Sequence, residues 1–279
     1  MPYKTIAAIL RGESDTPRLI ERMLPLVRAF GAHVSGIHAE PSPGAHVAVL
    51  AGDMVSIDES AIDAARERMG NVRSLFVDVC QREGVPHDWR GMETFAGDSA
   101  TASLPSVNAA DLVVVQQSDP DDLDTVFADL ESLIFDSGRP VLVLPYVNTT
   151  PVDPKRVVIA WKPSREAARA VFDALPLLHR AQEIEILVVD AKASPEHSAG
   201  MIAADIAAAL SRHGLNVTIS NQNSAGLPVG DVIENRVADT GVDLLVMGAY
   251  SQSPMRELLF GGVTRTLLKS MTVPVLMSH

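Results

Sequence analysis

Short apolar runs bounded by turn residues recur along the whole chain. They predict ten β-strands, at 4–10, 34–39, 86–91, 111–116, 141–146, 156–161, 184–190, 215–220, 243–248 and 273–278. Their apolarity is continuous rather than alternating, which is typical of strands that are covered on both faces in a mostly parallel sheet. Helical patterns separate these strands, and the alternation of strand and helix predicts doubly wound α/β units.

Two helix starts support this interpretation. Thr16-Pro17 precedes a helical stripe of apolar residues, and proline is favoured in the first turn of a helix. Ser56 and Glu59 have capping-box spacing, and they predict the start of a long second helix that ends at Gly84.

The strand and helix pattern occurs twice. Ile6–Ile9 aligns with Val157–Ala160, and Asp111–Val115 aligns with Asp243–Met247. The first copy contains one insertion of about 20 residues between positions 41 and 75. A polar, proline-containing linker joins the copies, so we expect domains at 1–147 and 154–279. The apolar residues of the insertion fit either an interface with a second copy of the chain or a flap over its own domain.

The composition excludes several classes of partner. The 279 residues are 47% hydrophobic and 21% charged, as in a soluble globular protein, and the formal net charge is −12. An acidic chain without a basic cluster is not expected to bind nucleic acid or an anionic membrane. No uninterrupted apolar run is long enough to span a bilayer, and the first apolar run, which ends at Arg11, is too short for a secretion signal. The single cysteine, Cys80, fits the reducing cytoplasm.

Neither a catalytic nor a metal site is expected. The eight histidines lack metal-binding spacing, and we expect them at the surface or at the rim of the core. No G-x-S-x-G motif occurs. Cys80 lies in an apolar helical pattern without a nearby histidine, which favours a packed core thiol over a nucleophile.

Candidate binding residues cluster in the second copy. In doubly wound sheets, ligands bind beyond the carboxyl ends of the strands. Lys162–Ser164 follows the first strand of this copy, which ends near Ala160, and Gly248–Ser251 follows its fourth strand. These two loops are therefore expected to converge.

A glycine pair, Gly261-Gly262, precedes the last predicted helix. The N–H groups of Gly262, Val263 and Thr264 would point outward from the helix start, where they could bind an anion. The Thr264 hydroxyl could add a hydrogen bond. The alternative is a bend between two helical segments, with Thr264 as the cap of the second.

These motifs resemble those of the universal stress protein family. Its ATP-binding members carry G-x2-G-x9-G-[ST] in this strand–loop–helix position. Here the chain has Gly248-x2-Ser251-x9-Gly261-Gly262, so two of the four positions match. The Val273–Val275 segment before the last strand is also typical. The whole chain resembles a tandem universal stress protein.

The resemblance implies the fold and the ligand. Each half is expected to be a flavodoxin-like, or adenine nucleotide alpha hydrolase-like, α/β domain with a five-stranded, mostly parallel sheet and helices on both faces. ATP or another adenine nucleotide is expected to bind in the second domain, at Ala160, Lys162, Gly248, Ser251, Gly261, Gly262, Val263 and Thr264. The family commonly has an acidic residue after the first strand, where this chain has Lys162–Ser164 and, in the first copy, Arg11–Glu13. We therefore expect no nucleotide in the first domain.

The charge of Lys162 has two interpretations: it pairs with a phosphate, or it lies in solvent beside Glu166. The family resemblance also implies an intrachain pseudo-dimer in which 141–146 lies alongside 273–278, and further association into a homodimer is compatible with it. The expected function is that of a non-catalytic cytoplasmic stress-response protein that senses a nucleotide. The alternatives are a ligand-free scaffold for protein partners and an enzyme of the same superfamily, such as a nucleotidyl transferase or a pyrophosphatase.

Overall fold

A computed structural model describes residues 2–41, 59–94, 98–118, 130–190, 201, 203–249 and 262–279. The insertion residues 42–58, including the predicted cap Ser56, lie outside the described residues, as do Ser251 and Gly261. The chain divides into two compact units. The amino-terminal unit consists of Tyr3–Arg139 and Thr149–Pro151, and the carboxy-terminal unit contains Pro140–Asn148 and Val152–His279.

The amino-terminal unit alternates strands and helices throughout. Its elements are β1 (Thr5–Leu10), α1 (Thr16–Phe30), β2 (His33–Pro41), α2 (Glu59–Arg82), β3 (His87–Thr94), α3 (Ser99–Val107), β4 (Leu112–Gln116) and α4 (Leu130–Asp136). The strand order is β3-β2-β1-β4, and all three pairings are parallel. The predicted α/β organisation of this half is confirmed.

The carboxy-terminal unit has the same alternation and one additional strand. Its elements are β5 (Val141–Leu144), β6 (Arg156–Ala160), α5 (Arg165–Asp173), α6 (Leu175–Leu178), β7 (Glu183–Val189), α7 (Ala204–Arg212), β8 (Val217–Gln222), α8 (Val229–Thr240), β9 (Leu244–Gly248), α9 (Val263–Ser270) and β10 (Val275–Ser278). The strand order is β5-β10-β9-β6-β7-β8. Among the described strands of this unit, the β5–β10 pairing alone is antiparallel, with Leu142 opposite Leu276, and this is the strand contact expected from the family resemblance.

The inner strands are buried as the continuous apolar runs predict, but β3 and β8, which stand at the ends of the strand order, contain no buried residue, so the expected cover on both faces is wrong for these two. Every residue of β4 and of β10 is buried. Helix α1 packs Leu19, Ile20 and Met23 into the core and ends at Gly31, whose φ of +57° costs glycine no steric strain. On α2, Cys80 is fully buried, and burial raises the pKa of its thiol to about 12. The expectation of a packed core thiol is confirmed.

The duplication extends to single hydrogen bonds. In the first copy, the Asp111 carboxylate accepts from the backbone N–H groups of Lys4 and Thr5, at 2.7 and 3.0 Å. In the second copy, Asp243 accepts from Lys155 and Arg156, at 3.0 and 2.8 Å. Each aspartate therefore joins the loop before one strand to the start of the neighbouring strand. This gives the repeated aspartate a structural role.

Candidate functional site

The carboxyl ends of β6 and β9 lie side by side at one edge of the carboxy-terminal sheet. Ala160, the last residue of β6, stands opposite Met247 of β9. Lys162 follows β6 after one residue, and Gly248 is the last residue of β9. Three of the predicted site residues, Ala160, Lys162 and Gly248, are therefore brought to the same edge, as expected for a doubly wound sheet.

Gly248 permits a close contact between β9 and the start of α5. A Cβ atom added at Gly248 would lie 2.4 Å from the backbone nitrogen of Ala167 and 2.6 Å from the carbonyl carbon of Glu166. Both atoms belong to the backbone of a helix and cannot move independently of it. Glycine is therefore needed at this position for packing, whether or not a ligand binds there.

The loop after β6 ends at a capped helix. The Ser164 hydroxyl accepts a hydrogen bond from Ala167 N at 3.2 Å, which caps α5. Glu166 is 7% exposed, and its carboxylate is 3.2 Å from Arg165 Nε. Burial acts to raise the pKa of Glu166, but the helix-start hydrogen bonds and the charge of Arg165 outweigh it and lower that pKa below its usual range.

Lys162 is exposed at the same edge. Its ammonium group forms no ion pair with any described residue, and the carboxylate of Glu166 is bonded to Arg165 instead. An exposed ammonium without an internal counter-charge can bind an external anion. This geometry agrees with a solvated lysine and leaves the charge accessible to a ligand.

Helix α9 begins at Val263, directly after Gly262. Gly262 is the N-cap, with φ −62° and ψ 152°, and it has no side chain with which to cap the helix. Thr266 N donates to Gly262 O at 3.2 Å and closes the first turn. Thr264 lies inside that turn and is 2% exposed, so the interpretation of Thr264 as the helix cap is wrong. The positive end of the helix dipole is therefore at Gly262, Val263 and Thr264.

The equivalent edge of the amino-terminal unit is filled by the chain's own side chains. Arg11 aligns with Lys162, but its side chain is buried. Its Nε atom is 3.2 Å from Asp15 Oδ2, and its Nη2 atom donates to Gln117 O at 3.2 Å. A further contact, at 3.4 Å, joins Arg11 Nη1 to the hydroxyl of Ser118. Arg11 therefore links the loops after β1 and β4, which are the loops that would hold a ligand.

The partner of Arg11 is also buried. Asp15 is 2% exposed, and its second oxygen accepts from Gly12 N at 3.1 Å. Burial raises the pKa of Asp15 above its ordinary value, although Arg11 and the Gly12 N–H act in the opposite direction. Sequence reasoning missed this pair. The sequence feature that could have revealed it is the four-residue spacing between the opposite charges of Arg11 and Asp15. Lys162 and Glu166 have the same spacing in the second copy but do not form an ion pair.

The histidines need one correction. His38 is 1% exposed and contacts the buried carboxylate of Glu40, so the expectation that histidines occupy only the surface or the core rim is wrong at this position. Across the described residues, no group of three or more histidine, cysteine, aspartate or glutamate side chains is arranged to hold a metal ion. None of the helices in the described part is both long and apolar enough to cross a membrane.

The fold and the site define a class of protein with two doubly wound α/β units. In the second unit, the start of α9 and an exposed lysine, Lys162, follow glycine-containing or short loops at the carboxyl ends of the strands. Residues 154–279 match the model of the universal stress protein family. These residues are a universal stress protein domain, and the family resemblance of the second repeat is confirmed.

Solved structures show the same fold over the whole chain. A universal stress protein from Archaeoglobus fulgidus DSM 4304 is 14% identical, with a TM-score of 0.72 over 100% of this chain and 96% of that one. A putative universal stress protein from Pseudomonas aeruginosa UCBPP-PA14 is 12% identical, with a TM-score of 0.58 over 99% and 93%. At these identities the likeness is one of fold. No curated protein matches the chain.

Proposed function

We propose that the protein is a non-catalytic stress-response protein whose carboxy-terminal half binds ATP or another adenine nucleotide. The family of residues 154–279 supports the stress-response role. The observation that carries the nucleotide proposal is the start of α9 at Gly262, which has no capping side chain. The proposed site consists of Ala160, Lys162, Gly248, Ser251, Gly261, Gly262, Val263 and Thr264.

The chemistry of this edge suits a phosphate group. Backbone N–H groups and the positive end of the dipole favour a negative charge at a helix start. Lys162, exposed at the neighbouring β6 loop, adds a positive charge that no described carboxylate neutralises. Because both contributions are electrostatic and partly exposed, the affinity is expected to fall as the salt concentration rises.

We propose that the amino-terminal half binds no nucleotide. The guanidinium of Arg11 and the carboxylate of Asp15 fill the equivalent edge and satisfy each other. A phosphate there would have to separate a buried ion pair before it gained any contact. The expected stoichiometry is therefore one nucleotide per chain.

Isothermal titration with ATP tests the site directly through Gly262→Asp. The backbone at Gly262 is extended, so aspartate fits, and an N-cap aspartate stabilises a helix by a few tenths of a kcal/mol relative to glycine. The same carboxylate would repel a phosphate, so ATP affinity should fall by about tenfold or more. A variant that folds at least as well and yet loses its ligand cannot be explained by unfolding.

Two lysine variants, one a test and one its control, measure the contribution of a positive charge to ATP binding. Lys162→Gln is expected to weaken ATP binding by about fivefold, the effect of one exposed charge contact. Lys269→Gln removes the same charge from the exposed far end of α9 and should leave affinity unchanged. Absence of binding heat with the unmodified protein, or unchanged binding by Gly262→Asp, would refute the nucleotide site.

Phosphate release measured in the same samples separates the alternatives. A sensor binds ATP without turnover, whereas steady release would favour an enzyme of the same superfamily. A protein that binds no nucleotide and copurifies with none would favour the ligand-free scaffold.

The single cysteine fits a reducing compartment, so we propose a cytoplasmic location for the protein. Whether the chain forms a homodimer is tested by light scattering.

A further inference from the structure

Helix α2 is anchored unevenly along its length. Its buried residues are Ala65, Val72, Phe76, Val79 and Cys80. The first half of the helix, from Glu59 to Asn71, therefore contributes one small side chain, Ala65, to the buried core. An isolated helical segment as short as this first half is only marginally stable in water. The first half of α2 must therefore depend on other contacts.

Polar contacts of this half with the rest of the unit end on carboxylates. Arg68 donates to Glu40 Oε2 twice, from Nε at 3.3 Å and from Nη2 at 3.1 Å. Asn71 Nδ2 donates to Glu13 Oε1 at 2.9 Å. Met69 adds a partly buried contact above Gly91. The Arg68–Glu40 ion pair is thus the main charged link between the first half of α2 and the sheet.

Glu40 is buried and bonded on its other side to His38. Its Oε1 atom is 3.1 Å from His38 Nε2, and His38 Nδ1 is 2.8 Å from the carbonyl oxygen of Leu10. Since a carbonyl oxygen can only accept, Nδ1 carries a proton, and a second proton lies between Nε2 and Oε1. His38, Glu40 and Arg68 therefore form a hydrogen-bonded chain from the end of β1 to the exposed surface of α2.

The neighbouring described elements offer few other charges to this carboxylate. Strand β3 places Glu93 opposite Glu40 in register. Helix α3 contributes an uncharged group, the Ser99 hydroxyl, which bonds Ala39 N at 2.9 Å. Arg11 follows Leu10 at the end of β1, and its side chain forms an ion pair with Asp15. The state of this hydrogen-bonded network therefore depends on the charge of Glu40 and on its bonds to His38 and Arg68.

We propose that the His38–Glu40–Arg68 chain is an acid-sensitive lock that holds the first half of α2 on the sheet of the amino-terminal unit. Protonation of Glu40 removes the charge that holds Arg68. The first half of the helix is then released, while the apolar second half stays in place. The result is local opening of the carboxyl edge of β1 and β2, without loss of the fold.

The electrostatics of Glu40 support the direction of this effect. Burial acts to raise the pKa of Glu40, but the hydrogen bonds and charges of His38 and Arg68 outweigh it and lower that pKa below the ordinary 4.5. A carboxyl group with a lowered folded-state pKa stabilises the fold fully above its unfolded value and loses this contribution as the pH falls through the folded value. The lock is therefore closed at neutral pH and opens in acid, below 4.5.

Hydrogen–deuterium exchange of the full chain tests the lock. After correction for intrinsic rates, peptides from 59–71 should lose protection as the pH is lowered from about 7 to well below 4.5, while those from 72–82 retain theirs. Arg68→Met keeps the aliphatic stem of a half-exposed side chain, so it should fold. It should raise exchange of 59–71 about three- to fivefold already at neutral pH.

The matched control is Arg66→Met on the same helix. Arg66 is exposed, and its one ion pair among the described residues is a long contact, 3.7 Å, to Asp63, so the exchange of this variant should equal that of the unmodified protein. Two results would overturn the proposal. One is equal exchange of 59–71 in Arg68→Met and Arg66→Met at neutral pH, and the other is simultaneous loss of protection in both halves of α2 in acid.

Discussion

Replacement of Arg11 by methionine is expected to lower the free energy of unfolding by about 3–5 kcal/mol. The guanidinium is buried against Asp15, and its removal leaves a carboxylate that is 2% exposed without its counter-charge. The same change also removes the donors to Gln117 O and the Ser118 hydroxyl. Urea denaturation followed by far-UV circular dichroism measures the effect.

The repeat provides the control for this experiment. Lys162→Met removes a positive charge at the aligned position of the second copy, where the side chain is exposed, and should change stability by no more than about 0.5 kcal/mol. Adding Asp15→Asn to Arg11→Met removes the uncompensated charge and should restore a large part of the loss. If Arg11→Met costs no more than Lys162→Met, the buried pair does not hold the two loops together.

Gly248→Ala is expected to destabilise the carboxy-terminal unit by about 3 kcal/mol. The new Cβ atom would lie 2.4 Å from Ala167 N, so α5 would have to move away from the end of β9. The contact involves helix backbone rather than the end of a flexible side chain, and rotamer changes cannot relieve it. Thermal unfolding measured by calorimetry without added ligand reports the loss, since the effect does not depend on a nucleotide.

A substitution at a second glycine distinguishes the packing effect of an added Cβ atom from its effect on backbone entropy. Gly70 lies inside α2 and has no atom within 4 Å of an added Cβ, so Gly70→Ala should raise stability by about 0.5–1 kcal/mol. The two substitutions are chemically identical and should have opposite signs. Equal effects would show that the space at Gly248 can relax and that the glycine has some other role.

The strands and helices could be predicted because their signals are local. All ten predicted strands occur, including β4 and β10, whose unbroken apolar runs required cover on both faces. The end of α2 before Gly84 also had a local signal, the glycine itself, which has a φ of +65° in the structure. The contact between β5 and β10 was expected only through the family resemblance, and its antiparallel direction was not predicted, because no local pattern encodes which strand another strand meets.

The candidate site could be predicted only in part. Motif spacing located Gly248 and Gly262, but it could not show that Gly248 is required by the backbone of α5. The start of α9 at Val263 was expected, whereas the assignment of Thr264 as a possible cap was wrong. A glycine looks the same in sequence whether a helix or a ligand approaches it. The distinction depends on distances between segments that are far apart in the chain.

The sequence by itself determined the duplication, the alternation of strands and helices, and the acidic, single-cysteine character of the chain. These follow from periodicity and composition, which act through neighbouring residues. Only the tertiary structure decided that Arg11 is buried while the aligned Lys162 is exposed, and that His38 and Glu40 share a hydrogen bond beneath Arg68. Burial and charge pairing arise when distant segments pack together, so aligned residues of the same charge acquired different surroundings in the two halves.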